Sequence, residues 1–285
     1  MTTVQKLGTS VKNTWCPGCG NFGILMAFKM AITQLGLSPE EVVAVSGIGC
    51  HGKITNYVKV NGLHVIHGRV LPAATAVKLA NNGLTVVGFA GDGDCYNIGM
   101  GHLPHAARRN PDITLVVHNN MIYGLTTGQA SPTSKQGHRT RTTPRGVFEP
   151  DVNPLALALA SDASFVARGY AGDMRHLASL MVEAMTFRGF ALIDVLQPCV
   201  TWNRVQTYEF YKDRVYKLEE TDHDPLDLSA AHSKALEWGD RIPIGVLYRK
   251  ERPVYSESFP QMQGAPMARR EVGGADISRL IKEFS

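Results

Sequence analysis

Five cysteines and two short turns hold the residues of this 285-residue chain that could do chemistry. Cys16 and Cys19 enclose Pro17 and Gly18 in a C-x-x-C turn, while Cys50 and Cys199 stand far off in sequence. A close pair plus two distant cysteines makes a four-thiolate set for either a zinc ion or a [4Fe–4S] cluster. Spacing alone leaves both open. An odd number of thiols in a long chain fits a disulfide framework poorly, and Cys95 reads as a small buried hydrophobe. The turns are Gly91-Asp92-Gly93-Asp94 and Asn119-Asn120. Gly91 and Gly93 permit a tight turn with backbone N–H groups close to an anion. Asp92 offers carboxylate oxygen and Asn120, 28 residues on, an amide oxygen. Mg²⁺ takes oxygen ligands at about 2.1 Å and shares them with phosphates and water. These two side chains and a carbonyl from the following loop suit a metal-bridged diphosphate. The dinucleotide fingerprint G-x-G-x-x-G is absent, because Tyr96 stands where its third glycine would.

Those residues need a scaffold, and the hydropathy pattern supplies one. Glu41–Ser46 (EVVAVS), Leu84–Ala90 (LTVVGFA), Ile113–His118 (ITLVVH) and Ala191–Leu196 (ALIDVL) are nearly continuous apolar runs and read as buried strands. His64–Ile66 and Phe165–Ala167 read as short strands. Helical spacing covers Ile24–Leu37, Pro72–Asn82, Tyr96–Arg109, Val152–Ser161 and Asp173–Arg188. Strands without polar alternation, separated by helices, predict an α/β domain. Its doubly wound parallel sheet carries helices on both faces. The polar stretch Asn119–Pro150 is too long for an idle loop and reads as functional. A domain over residues 1–204 is followed by a C-terminal extension, 205–285, with one helical pattern near Asp227–Trp238. This extension packs on the domain or on a partner.

In a parallel sheet every strand C-terminus lies on one edge, where open α/β sheets bind ligands. Gly47-Ile48-Gly49-Cys50, the GDGD turn, Asn119-Asn120 and Gln197-Pro198-Cys199 each directly follow a strand. The sequence therefore places the oxygen donors and two of the thiols on one rim.

Composition excludes several other classes. The chain is 44% hydrophobic and 19% charged, ordinary for a globular protein with a real core. A net charge of +4 is too mild to argue for nucleic acid. No stretch has the length of a signal-peptide core or a membrane span, so a cytoplasmic protein is expected.

The pattern GDG, 25 residues, NN resembles the thiamine-diphosphate motif. That likeness implies that Asp92 and Asn120 bind Mg²⁺ through their side chains and Ile122 through its carbonyl. Gly93, Asp94, Gly124 and Leu125 would line the cofactor, together with Gly47, Ile48, Gly49, Cys50, His51, Gly68, Arg69 and Gly91. A longer series occurs in order: WCPGCG, GIGCHG, HGR, GDGD, NNMIYGLTTGQ and QPC. It resembles the β subunit of 2-oxoacid:ferredoxin oxidoreductases, over residues from about 12 to about 204, and within that family most resembles the 2-oxoglutarate group. The resemblance implies that Cys16, Cys19, Cys50 and Cys199 hold one [4Fe–4S] cluster beside thiamine diphosphate. It further implies oxidative decarboxylation of a 2-oxoacid, best 2-oxoglutarate, to an acyl-CoA, with electrons passing to ferredoxin, or the reverse reductive carboxylation. Pyruvate or a broad 2-oxoacid range is the alternative.

His51, His67 and Lys53 are the candidate catalytic groups, the histidines as proton carriers and Lys53 as partner for a substrate carboxylate. The glutamate with which thiamine enzymes activate the aminopyrimidine has no motif on this chain. In the family it belongs to a partner α subunit, giving a heterodimer or a dimer of heterodimers whose small-molecule substrates are the 2-oxoacid and coenzyme A. Two rivals account for less. A non-redox thiamine enzyme has no use for four cysteines, and a bare electron-transfer module leaves GDG and NN unexplained.

Overall fold

The computed structural model describes residues 2–271, 273, 274 and 276–284; residues 272, 275 and 285 of the expected extension lie outside the described residues. Its strands are β1 (Val42–Ser46), β2 (Asn61–His64), β3 (Thr85–Gly91), β4 (Ile113–Asn119), β5 (Ile122–Tyr123), β6 (Gln129–Ala130), β7 (Phe165–Tyr170), β8 (Phe190–Leu196), β9 (Val215–Lys217) and β10 (Ile242–Arg249). All but β5 and β6 form one sheet in the order β2-β1-β3-β4-β8-β7-β10-β9. From β2 to β7 every neighbouring pair is parallel.

The helices are α1 (Asn21–Gln34), α2 (Ile54–Tyr57), α3 (Val70–Ala80), α4 (His102–Arg109), α5 (Pro154–Ala160), α6 (Met174–Thr186), α7 (Tyr208–Lys212), α8 (Leu228–Leu236) and α9 (Ser278–Glu283). Strand side chains alternate between faces, and each face builds its own core. Val42, Ala44, Val87 and Phe89 face α1 and α6 and meet Ile24, Phe28, Leu177 and Leu180. Val43, Val45, Val86 and Leu115 face the other way and meet Leu71 of α3, Leu103 of α4, Leu155 of α5 and Ala231 of α8. Because both faces are covered, the strands show no polar alternation. The central aromatic contact, Phe28 against Phe89, has ring centroids 4.8 Å apart; truncating either ring to alanine costs about 3–5 kcal/mol.

Local signals set the helix starts. Asn153, Asp173 and Asp227 each cap a helix by accepting a backbone N–H two or three residues on. Pro154 sits at the first position of α5, where its missing N–H costs nothing.

The strand expected at His64–Ile66 lies instead at Asn61–His64, and the structure departs from the sequence-based elements in three larger ways. The expected helix Tyr96–Arg109 is a π turn, Asp94–Ile98, followed after Gly99–Gly101 by the shorter α4. The turn is tied by the Gly99 N–H to the Asp94 carbonyl, 2.9 Å. The long loop carries a small antiparallel hairpin, β5 with β6. The sheet is also mixed rather than purely parallel, because the extension returns β10 antiparallel against β7 and adds β9 beside it. Pro243 and Gly245 within IPIGVLYR mask β10 as a strand, although seven of its eight residues are buried.

Register then aligns the strand ends. Ser46 pairs with Phe89, Gly91 with His118, and Asn119 with Leu196. Two further bonds continue the ladder past the strands, from Gly47 N–H to the Phe89 carbonyl (3.1 Å) and from Gln197 N–H to the Asn119 carbonyl (3.0 Å).

Candidate functional site

A cleft of about 140 Å³ opens at that edge. It is lined by Ile48, Gly49, Cys50 and His51 after β1, by His67, and by Gly91, Asp92, Gly93 and Asp94 after β3. Asn120, Ile122, Tyr123, Gly124, Leu125 and Thr126 after β4 complete it. Side chains larger than glycine would not fit two of these turns. A Cβ on Gly47 would stand 2.0 Å from Asp94 Oδ2, and one on Gly93 would stand 2.2 Å from the Tyr123 ring.

Asp92 is 2% exposed. Its Oδ2 accepts the Ser131 hydroxyl and the Thr133 hydroxyl, the latter at 2.8 Å. Burial raises its carboxyl to about 6 against the pull of those two donors. A buried carboxylate with so little compensation is a poor resting place for a bare negative charge and a good one for a cation. Thr133 Oγ1 also stands 2.9 Å from Asn119 Oδ1. The Asn119 amide in turn donates to buried Asp194, which also accepts Tyr96 OH at 2.7 Å. Asn120 Oδ1 accepts the Ile122 N–H at 3.1 Å and its Nδ2 donates to Gln197 Oε1 at 3.0 Å. Hard oxygens from Asp92 and Asn120 on one cleft fit a Mg²⁺ that keeps further ligands for phosphate and water.

Asp94 gathers the histidines. Its Oδ1 accepts the Gly68 N–H at 2.6 Å and stands 2.7 Å from His67 Nδ1, while His51 Nε2 lies 3.3 Å from Oδ2. Burial alone would raise Asp94, but His51, the Gly68 N–H and His67 outweigh it and hold the carboxyl below its ordinary value. His118 sits behind His51, ring centroids 5.8 Å apart. Burial first, then His51, push it well below the ordinary imidazole range. His118 is therefore neutral and accepts no proton at physiological pH.

The thiols also converge. A Cβ on Gly124 would lie 3.7 Å from both the Cys50 and the Cys199 sulfur. Burial first, then the charges on Cys199, Cys50 and Cys16, raise the Cys19 thiol to about 12 against the pull of the Asn21 backbone N–H. Burial and then Cys199 raise Cys50 as well. All are free cysteines. Four thiols that would repel one another as thiolates fit a cationic cluster that neutralises them together. A single tetrahedral ion with bonds of about 2.3 Å would need its sulfurs within about 4 Å of each other. Among the described residues no group of three or more His, Cys, Asp or Glu stands close enough to hold one metal ion. The Trp15 indole N–H, donating to the Cys50 carbonyl at 2.6 Å, anchors the Cys50 turn against the C-x-x-C segment.

Beyond Cys16, Cys19 and Cys199, and Gly47, which packs against Asp94, three expected residues are not in the cleft lining. Gly68 serves Asp94 through its backbone, Arg69 donates to the Gly68 carbonyl at 3.1 Å, and Lys53 donates to Thr14 Oγ1 at 3.0 Å. Cys95 lies in the apolar core, 4% exposed. Sequence reasoning missed Ser131 and Thr133, which hold Asp92, and the buried set Asn119, Asp194 and Tyr96. The only sequence signal for the first two is that they fall early in the overlong polar loop; Asp194 interrupts an otherwise apolar strand.

Residues 47–195 match the family model for the thiamine pyrophosphate enzyme C-terminal TPP binding domain. Residues 199–264 match that for the C-terminal part of the pyruvate ferredoxin oxidoreductase beta chain. The chain is 51% identical to the 2-oxoacid:ferredoxin oxidoreductase subunit beta of Saccharolobus solfataricus, over 84% of this chain and 82% of that one. It is 44% identical to 2-oxoacid:ferredoxin oxidoreductase 1, subunit beta, of Aeropyrum pernix, over 99% and 96%. A solved 2-oxoglutarate:ferredoxin oxidoreductase from Magnetococcus marinus, with 2-oxoglutarate, coenzyme A and succinyl-CoA bound, superposes with a TM-score of 0.89. It is 37% identical and is matched over 99% of this chain and 96% of that one. No described helix is long and apolar enough to cross a membrane.

Proposed function

The chain belongs to the 2-oxoacid:ferredoxin oxidoreductase family as a β subunit, and from that premise we propose the residues that perform its half of the reaction. Paired with an α subunit, it catalyses oxidative decarboxylation of a 2-oxoacid. The products are CO₂ and an acyl-CoA, and two electrons leave singly to ferredoxin. The proposed substrate is 2-oxoglutarate, which gives succinyl-CoA; the Magnetococcus marinus relative holds both.

When bound, thiamine diphosphate supplies a thiazolium that accepts the electron pair released with CO₂, and a [4Fe–4S] cluster supplies one-electron acceptance. Asp92, the Asn120 amide oxygen and the Ile122 carbonyl would hold Mg²⁺ against the diphosphate. Ser131 and Thr133 occupy one carboxylate oxygen of Asp92, Oδ2, and so orient the other, Oδ1. Cys16, Cys19, Cys50 and Cys199 would hold the cluster. Asp94 keeps His51 and His67 at the cleft wall, where His67, one-third exposed, can exchange a proton with solvent or substrate. Lys53, three residues beyond Cys50, offers an ammonium for a distal carboxylate if it turns from Thr14. The apolar rim made by exposed Ile48, Leu125, Val200 and Trp202 suits the α subunit, which would bring the activating glutamate, for which this chain has no motif, and shut water out of the site.

One observation carries the proposal: four neighbouring strand ends bring the oxygen donors, Cys50 and Cys199 to a single edge. The test is an anaerobic assay of the purified α–β complex with 2-oxoglutarate, pyruvate and 2-oxobutyrate, coenzyme A and ferredoxin. Ferredoxin reduction that requires both coenzyme A and 2-oxoglutarate is expected. No reduction with any 2-oxoacid, in a complex containing thiamine diphosphate and iron, would overturn the functional reading. A broad 2-oxoacid range is the second reading, favoured by the Saccharolobus solfataricus relative, whose name specifies no single acid; comparable turnover of all three acids would select it.

A further inference from the structure

Gln197, the first residue after β8, is 2% exposed and uses every polar position of its amide. Backbone groups of fixed polarity set the direction of each bond around it. The Ile122 N–H can only donate, so the oxygen of Asn120 faces it, at 3.1 Å. The Asn120 Nδ2 then points at Gln197 Oε1, 3.0 Å away. At the far end the Pro198 carbonyl can only accept, and it receives Gln197 Nε2 at 3.0 Å. The second hydrogen of that nitrogen is left for the Cys19 sulfur, 3.4 Å from Nε2, an ordinary separation for an acceptor as large as sulfur. Gly20 makes room for the arrangement, since a Cβ there would stand 2.8 Å from Gln197 Cγ. The chain of bonds therefore runs one way, from the Ile122 backbone through Asn120 and Gln197 to Cys19.

We propose that Gln197 is a positioning residue serving both cofactor sites at once: its amide oxygen orients Asn120 for the metal, and its N–H donates to the Cys19 sulfur of the cluster. The inference rests on the functional reading above and adds a residue to it. An asparagine amide presents a donor on one side and an acceptor on the other. With Nδ2 held by Gln197, Oδ1 stays on the ligand side and cannot trade places with the NH₂ group. Supporting groups of this kind typically change metal affinity by about tenfold to a hundredfold when removed. At the other end, an N–H aimed at a cluster sulfur favours the reduced, more negative cluster and raises its potential. A hydrogen bond to a charged acceptor contributes enough for about a tenfold change in the reduction equilibrium, which is ~59 mV for one electron.

The test uses the α–β complex with two variants, Gln197→Met and Gln197→Glu. Iron and sulfide content is measured first, then the cluster midpoint potential by EPR-monitored titration, and the Kd for Mg²⁺ with thiamine diphosphate by calorimetry on stripped complex. Methionine keeps length and bulk but has neither the N–H nor the amide oxygen, so both readouts should move: Kd up by about tenfold to a hundredfold, potential down by ~59 mV. Glutamate returns an acceptor to Asn120 but no amide N–H to the sulfur. Its Kd should lie within a few-fold of wild type while its potential stays low. Packing alone would not separate the two readouts in this way. A methionine variant unchanged in either quantity, or a glutamate variant with wild-type potential, overturns the role of Gln197. If the methionine variant fails to assemble its cluster, the potential of the glutamate variant decides by the same criterion. A wild-type complex that holds no cluster or binds no thiamine diphosphate overturns instead the function on which the inference rests.

Discussion

Replacing Asp92 by asparagine preserves the shape of the side chain and removes its charge, which separates what the residue costs the fold from its proposed role toward Mg²⁺. The carboxyl is fully buried, and burial moves it from an ordinary 3.8 to about 6. Each pH unit of such a displacement is worth about 1.4 kcal/mol, so the ionised group burdens the metal-free fold by ~3 kcal/mol near neutrality. The direction follows from proton counting. Below 3.8 the group is protonated in both folded and unfolded chains; between 3.8 and about 6 only the unfolded chain releases its proton. The folded state then binds more protons, so stability falls as pH rises through that window and levels off above it. Asp92→Asn has nothing to titrate there and can still accept from Ser131 and Thr133. Stripped of Mg²⁺ and thiamine diphosphate, the variant complex should be more stable than stripped wild type by up to ~3 kcal/mol near neutral pH. That gap should close on acidification. With both ligands restored at about a thousandfold excess over Kd the order should reverse, because wild type gains about 4.1 kcal/mol and the variant gains little. Anaerobic urea unfolding at several pH values, with and without ligands, measures all of this. A stripped variant no more stable than stripped wild type, or a gap that does not shrink as pH falls, refutes the reasoning.

Thr133→Val keeps the side-chain shape but removes the hydroxyl between Asp92 and Asn119; Mg²⁺ affinity should weaken by about tenfold to a hundredfold. Thr133→Ser should recover most of it, as read by calorimetry. Cys199→Ala should leave too few thiolates for a four-iron cluster, and anaerobically purified variant should lose both its brown colour and its iron stoichiometry. Wild-type iron content would remove Cys199 from the ligand set. Lys53→Gln should raise KM for 2-oxoglutarate with little change for pyruvate, because only the former carries a distal carboxylate. Equal effects on both acids would return Lys53 to its bond with Thr14.

The α/β class, the two-sided sheet and the sharing of one edge by GDGD, Asn119-Asn120, Cys50 and Cys199 were all readable from the chain alone. Uninterrupted apolar runs mark strands covered on both faces, and parallel strands place all their C-terminal ends together. Such features depend on local pattern and on one topological rule. What lay beyond that reach depends on contacts between residues distant in sequence. β10 hid behind Pro243 and Gly245, since its strand character comes from pairing with β7, 77 residues away at the Gly245–Arg168 partner. Ser131 and Thr133 look like any polar loop residues until the chain folds back by about forty positions to set them on Asp92. Gln197 was visible as part of a QPC turn, but its two bonds reach Asn120 and Cys19, 77 and 178 residues away. Sequence determined which chemical groups are present and on which edge they stand. Tertiary structure alone decided which donor meets which acceptor, because hydrogen bonds depend on tenths of an ångström and on direction, and neither is encoded in local periodicity.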